Sequence, residues 1–311
     1  TADRLVEAMR PGSQNPRQGR AVHDLGRFGL GLKTASFSQA RRVTVRTFQR
    51  HRETATRCWD LDHIAKVNKW QLLRAGDAKA EPHFKRLEKL SHGTAVVWQE
   101  MDRLVAGQST ENPRQQQHFL ERAEGVREHL SMVFHQFLEQ RKSLALHINQ
   151  RRLEPWNPFL PDQTATQVLP KTRVFFKGAP VEVEPFVLPH HSKLSKTVHE
   201  AASGTRGWNA HQGFYVYRNQ RLLVPGDWLN FGWAKEEHYK LARIRVEISN
   251  SLDLDWDIDV TKSKATPPPE LRDELHRIAE RTRALAKRVY SFRGAKLTPQ
   301  ADTGRVLLWE P

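Results

Sequence analysis

The run Asp24-Leu25-Gly26-Arg27-Phe28-Gly29-Leu30-Gly31-Leu32-Lys33-Thr34-Ala35-Ser36 gathers the residues best suited to chemistry. Gly26, Gly29 and Gly31 stand at GxxGxG spacing and lead into a helix-like segment that carries a lysine and two hydroxyls. Glycine has no Cβ, so its backbone reaches positive φ and lets a ligand approach closely. A glycine-rich loop that opens a helix aims free N–H groups and the positive dipole end at one point, which suits a phosphate. Lys33, in the first helical turn, would add a formal charge.

The order of the glycines separates this loop from two common phosphate cradles. The dinucleotide fingerprint is GxGxxG after a strand, and here the two spacings are reversed. The Walker loop places lysine directly after its last glycine, whereas Leu32 stands between Gly31 and Lys33. The preceding Gly19-Arg20-Ala21-Val22-His23-Asp24 also lacks the character of the buried strand that both motifs require.

The elements that must hold such a loop follow it. Arg42 to Thr47 and Thr56 to Leu61 alternate as strands do, and Ser91-His92-Gly93-Thr94 opens the apolar run Ala95 to Trp98. Pro82 and the polar stretch Ala106 to Arg114 punctuate this half. Phe119, Ala123, Val126, Leu130, Val133 and Phe137 then form one apolar stripe at helical spacing, which predicts a packing helix at a domain junction. Strands are predicted at Leu144–Asn149, Arg173–Phe176, Val181–Leu188, Phe214–Arg218 and Ala242–Ser249, with Asn219-Gln220 turning a hairpin into Arg221–Val224. The last helix carries Leu271, Leu275, Ile278, Thr282, Leu285 and Val289 on one face. Arg272, Arg277, Arg281, Arg283, Lys287 and Arg288 are expected on its other sides, where they form a solvated face or track a phosphate backbone.

The glycine run resembles the second glycine box of the GHKL ATPases, the class of gyrase B, the heat-shock chaperone ATPase, histidine kinases and MutL. The resemblance implies that Gly26, Arg27, Phe28, Gly29, Leu30, Gly31, Leu32 and Lys33 contact the phosphates of ATP and end a mobile lid starting near Ala8. It also implies that Thr94, about sixty residues further on, helps to hold the adenine edge. Asp257-Ile258-Asp259-Val260-Thr261-Lys262-Ser263-Lys264 is similar to the MutL segment whose lysine reaches the γ-phosphate, which makes Lys264, with Lys262 beside it, the sensor candidate. A cation at the terminal phosphate favours ATP over ADP. Tyr217-Arg218-Asn219-Gln220-Arg221-Leu222-Leu223 resembles a strand of the second domain of MORC and MutL proteins. Bacterial MORC/MutL-like ATPases that accompany restriction or phage-defence enzymes are the nearest resemblance.

The resemblance implies an α/β fold (an α+β sandwich). Residues 1–112 would be the rear part of a GHKL ATP-binding domain, 113–141 a connecting helix, 142–293 a transducer-like α/β domain and 294–311 a tail. GHKL sites also need a helix with a catalytic Glu and a Mg2+-binding Asn, then Asp-x-Gly-x-Gly. This sequence has no Asp-x-Gly-x-Gly, and the family spacing puts both motifs upstream of Thr1. The expectation is therefore a piece of a longer ATPase that contacts ATP phosphates but hydrolyses poorly alone, with its Mg2+ ligand upstream.

Composition bounds the partners. The 311 residues, with 38% hydrophobic residues and nine tryptophans, suffice for two cores. No apolar run approaches a membrane span, and the single Cys58 fits a reducing cytoplasm rather than a disulfide framework. The net charge of +15 points to polyanions, nucleic acid first. The expected output is a nucleotide-gated homodimer working with DNA and a nuclease or other defence or repair protein. The rivals are a non-catalytic nucleic-acid module with a degenerate nucleotide site, and a chaperone-type ATPase with protein clients. His190, His191 and His199 read as surface histidines rather than metal ligands, and the alternating Asp253, Asp255, Asp257 and Asp259 read as structural, sharing one face if they lie on a strand.

Overall fold

The computed structural model describes residues 2–12, 21, 24–26, 29–49, 54–85, 87–103, 112–140, 144–258 and 265–294. The chain divides into two compact units, Thr1–Glu124 and Gly125–Pro311. Both mix helices with β-sheet, so the α/β class holds.

The first unit contains α1 (Ala2–Met9), α2 (Gly31–Phe37), β1 (Arg42–Gln49), β2 (Ala55–Asp60), α3 (Leu61–Val67), α4 (Glu81–Phe84) and β3 (His92–Gln99). Its sheet has the order β2-β1-β3 and is antiparallel throughout. Opposed residues share a face, so the pairs Val43↔Trp98, Val45↔Val96 and Thr47↔Thr94 put Thr94 on the face that carries Val43 and Val45. That face forms a core with Leu5 and Met9 of α1, Ala55 and Trp59 of β2, and part of Phe37 of α2. The opposite face packs Phe48, Ala95 and Val97 against Ala80, Phe84 and Leu87. There Arg46 makes a two-pronged contact with Glu81, at 2.8 and 2.6 Å, and lies over the Phe84 ring. Asp60 ends β2 and caps α3, accepting from the Asp62 and His63 N–H groups at 3.0 and 3.1 Å.

Helix α5 (Pro113–Val133) contains the boundary between the units and is followed by α6 (His135–Glu139). The expected apolar stripe is only half realised. Val133 is buried, but Phe119 is 39% and Val126 52% exposed, and the helix breaks at Phe134 instead of running on to Phe137.

The second unit continues with β4 (His147–Ile148), β5 (Arg151–Arg152), β6 (Gln167–Val168), β7 (Thr172–Phe176), β8 (Ala179–Val187), α7 (Lys196–Ser203), α8 (Gly207–Ala210), β9 (Gly213–Arg218), β10 (Arg221–Asp227), β11 (Ala242–Ile248) and α9 (Pro269–Gly294). The strand predicted over Leu144–Asn149 shrinks to β4, which pairs with β5 across a turn at Asn149 and Gln150, both at positive φ. The main sheet has the order β10-β9-β11-β8-β6, with β7 also on β8; β9 and β11 run parallel and the other pairs antiparallel. The β9–β10 hairpin turns at Asn219 (φ 48°) and Gln220 (φ 66°), the left-handed pair that a two-residue turn needs to match strand twist.

Every residue of β9 is buried, because both faces of the sheet are covered. One face joins Phe214, Val216, Ile244 and Val246 to Leu271, Leu275, Ala279 and Ala286 of α9. The other holds Tyr215, Tyr217, Phe186, Leu222 and Phe159, with Met132 of α5 against them. Of the basic residues of α9, Arg277, Arg281, Lys287 and Arg288 are exposed as expected. Arg272 and Arg283 are not: Arg272 lies over Phe231, and Arg283 lies 4.0 Å from the Tyr239 ring centroid and 4.2 Å from that of Trp233.

Two further expectations are corrected. His190 is 4% exposed and its ring lies against His191 and Tyr290, so it is a core residue rather than a surface one. Of the aspartates that would share a strand face, Asp253, Asp255 and Asp257 lie instead in a turn. Asp253 pairs with the buried Arg218, Asp255 pairs with Lys177, and Asp259 lies outside the described residues.

Candidate functional site

The glycine loop enters α2 without a side-chain cap: Leu30 stands at the N-cap position, and the first described intrahelical bond there runs from the Thr34 N–H to the Leu30 carbonyl at 2.9 Å. Before the helix, Asp24 turns the chain by accepting the Gly26 N–H at 2.7 Å. Gly29 has φ +61°, a left-handed conformation that glycine alone adopts without strain. Gly31 has nothing within 4 Å of where a Cβ would stand, so open space faces the start of the helix. Backbone donors, a glycine kink and free space are the parts a phosphate cradle needs. Arg27 and Phe28 lie outside the described residues, as do Lys262 and Lys264. Leu30 is half-buried and Leu32 is 39% exposed.

Lys33 is turned inward. It is 6% exposed, and its ammonium donates to the Ala8 carbonyl at 3.0 Å and to the Gly29 carbonyl. Ala8 lies in the last turn of α1, where carbonyls lack intrahelical partners and the helix dipole favours a cation. The Trp59 indole donates to the next carbonyl, that of Met9, at 2.9 Å. Lys33 therefore ties the end of α1 to the glycine loop. Its burial pushes its pKa below the usual lysine value.

Thr94 is exposed on β3, and its hydroxyl donates to Thr47 Oγ1 at 3.2 Å. Two residues along the same face, the Trp98 indole donates to Ser36 Oγ of α2 at 2.9 Å. The strand that carries Gly93-Thr94 is thus bonded to the helix that the glycine loop opens, and that helix lies on the sheet face carrying Thr94. Sequence reading missed this bond and the Lys33 tie. The alternation of β3 places Trp98 on the face of Thr94, but only the fold brings Ser36 across to it. Among the described residues no group of three His, Cys, Asp or Glu side chains is placed to hold a metal ion. No helix among them is long and apolar enough to cross a membrane.

The uncapped glycine loop, the helix it opens and the threonine-bearing strand belong to one small α/β unit. Residues 1–94 match the family described as histidine kinase-, DNA gyrase B-, and HSP90-like ATPase, which supports the GHKL superfamily for this part of the chain. Domains of that family bind ATP and are generally ATPases. No curated protein matches the chain.

Proposed function

We propose that the first unit binds ATP, with the backbone from Gly26 to Lys33 cradling the phosphates and Thr94 on the adenine side. One observation carries this reading: within the family-matched region, the start of α2 faces open space at Gly31 on the sheet face that also carries Thr94. The stretch from Ala8 to Leu25 serves as the lid, and Lys33 ties its start at Ala8 to Gly29 of the glycine loop. Lys33 then contributes positive potential to the cradle. Lys264 and Lys262 are proposed as γ-phosphate sensors.

The protein works, on this reading, as a MORC/MutL-like switch in which ATP drives homodimerisation in a DNA-related process. Turnover needs a general base and Mg2+ in addition, so the chain is expected to bind ATP with little hydrolysis. The test is calorimetric titration with a non-hydrolysable ATP analogue, of the wild type and of Gly31→Ala. The wild type should bind, and the variant should bind at least about tenfold more weakly, a difference of about 1.4 kcal/mol. A wild-type chain that binds no analogue would refute the reading. Light scattering with and without the analogue tests dimerisation, and DNA affinity measured across salt concentrations tests the nucleic-acid partner.

A further inference from the structure

Helix α9 distributes its charge unevenly along its length. Glu270, Asp273, Glu274 and Glu280 all precede Arg281, whereas Arg281 to Gly294 holds five cations and no carboxylate. Several cations of this helix are engaged by the fold. Arg272 lies over the Phe231 ring, Arg277 pairs with Glu274, and Arg283 is turned onto the Tyr239 and Trp233 rings. Arg281, Lys287 and Arg288 are exposed, and their side chains have no hydrogen bond or ion pair among the described residues. The carboxylates around the helix have cations of their own. Glu237 accepts from Lys240 at 2.9 Å, Glu280 lies 3.6 Å from His276 Nδ1, and Glu236 acts on Arg283.

Helical geometry gathers the unshared cations on one surface. Arg281 and Arg288 stand two turns apart on the same side, with Phe292 one turn further on, and Lys287 flanks them across the exposed Ala284. Along the axis Arg281 and Arg288 are about 10.5 Å apart, close to the rise of three nucleotides on one strand of a duplex. The turn His191–Lys193 reaches the same end of α9, because the His190 ring lies 6.4 Å from that of Tyr290, and it brings the exposed Lys193. Cations crowded on one face repel each other, and a polyanion that spans them relieves this cost.

Two extended polyanions are common, nucleic acid and an anionic membrane surface. A helix that lies in a membrane interface needs a wide apolar face to insert. The apolar face of α9 is already spent on the sheet through Leu271, Leu275, Ala279 and Ala286, and Phe292 is its one large apolar side chain that is exposed. The surface therefore suits a phosphate backbone.

We propose that the exposed face of α9 from Arg281 to Phe292 binds the phosphate backbone of nucleic acid without reading its sequence. The surface gives the nucleic-acid partner of the proposed function its place, and it rests on that part of the reading but not on ATP binding. The test is fluorescence anisotropy of the full chain, without nucleotide, on two unrelated DNA duplexes of about twenty base pairs at about 50–200 mM salt. The wild type should bind both duplexes alike, with log K falling against log salt at a slope of about −3 or steeper. Replacing Arg281, Lys287 and Arg288 together by Gln should make the slope shallower by about 2–3 and weaken binding at about 50 mM salt at least tenfold. Arg281→Gln and Arg288→Gln alone should each remove about 0.9 of slope, which keeps the test decisive if the triple variant does not fold. Replacing the exposed Lys66, Lys69 and Lys79 by Gln removes the same charge elsewhere and should change the slope little. Equal losses in the two triple variants would mean diffuse attraction and overturn the proposal. Binding to phosphatidylserine vesicles but not to duplex would make this a lipid-facing surface instead. Wild-type binding that the α9 substitutions leave unchanged would refute this surface alone, whereas a wild type that binds no duplex would also remove the nucleic-acid partner.

Discussion

Each unit buries cations, and they are satisfied in different ways. In the first unit Lys33 rests on two carbonyls and joins segments twenty-five residues apart. In the second, Arg218 is 1% exposed and meets Asp253 through two bonds, Nε to Oδ1 at 2.5 Å and Nη2 to Oδ2 at 2.7 Å, while Arg243 has one carbonyl and aromatic rings only. A paired buried cation fixes structure, because removing either partner strands a charge. A cation satisfied by carbonyls can hold a loop that must later move. A cation left with free N–H groups biases the electrostatics of the groups around it. The same residue class thus serves as staple, latch and field source, and what separates the three is the partner.

The staple predicts the largest effect. Asp253→Ala leaves Arg218 buried without its carboxylate and should lower the stability of the second unit by about 3–5 kcal/mol, seen as a reduced midpoint in urea unfolding. If the loss is under about 1 kcal/mol, Arg218 is not the staple described and the contrast with Arg243 disappears. The latch predicts less. Lys33→Met keeps the buried stem but removes the charge-assisted bonds, and should cost about 1.5–3 kcal/mol in the first unit. It should also weaken binding of an ATP analogue, because the start of the proposed lid at Ala8 is no longer tied to Gly29. A variant with wild-type unfolding and wild-type binding would show that the Ala8 and Gly29 contacts hold nothing.

How much of this could be read from the sequence differs between the regions for the same reason. The glycine loop, the alternation of β1, the Asn219-Gln220 turn and the apolar face of α9 are local patterns, and local geometry enforces them. The direction of Lys33 is not local. Spacing places it in the first turn of α2 with its charge toward the phosphates, but its ammonium rests on a carbonyl of α1, which packs on the sheet. Exposure of Phe119 and Val126 likewise escapes a stripe argument, which assumes that every turn of the helix meets a core. The surroundings of His190 and His211 depend on rings brought together from elements far apart in sequence, and no motif announces either.

The field source predicts a pH effect. The unfolded imidazole of His211 takes up a proton near its ordinary 6.5, whereas the folded one refuses it until about 3. Between those values the unfolded state binds more protons, so stability falls as pH is lowered through this window, by at most about 1.4 kcal/mol per pH unit. Paired carboxylates such as Asp60 and Glu182, whose pKa values are depressed, add to acid sensitivity, so the difference between wild type and His211→Phe isolates the imidazole. The variant should show the shallower slope between pH 6.5 and 3. Equal slopes would mean that the ring is not held neutral, and the charges of Arg243 and Arg206 would not matter to it.

The smallest effect on folding sharpens the comparison most, because it separates a loop shaped for the fold from one shaped for a ligand. Gly29 and Gly31 are two residues apart in one loop, yet alanine should act differently at each. At Gly29, φ of +61° places an L-residue in the left-handed region, so Gly29→Ala should destabilise the first unit by about 1–2 kcal/mol. At Gly31 the backbone is helical and a methyl meets nothing within 4 Å, so Gly31→Ala should leave stability unchanged or raise it by about 0.5–1 kcal/mol through better helix propensity. The new methyl would project into the open space before α2 that the proposed phosphates occupy. Thermal unfolding and analogue titration on the two variants therefore give a crossed result: Gly29→Ala loses stability, and Gly31→Ala keeps stability and loses nucleotide. If Gly31→Ala kept both, the open space would be plain surface and glycine there would have no ligand to serve.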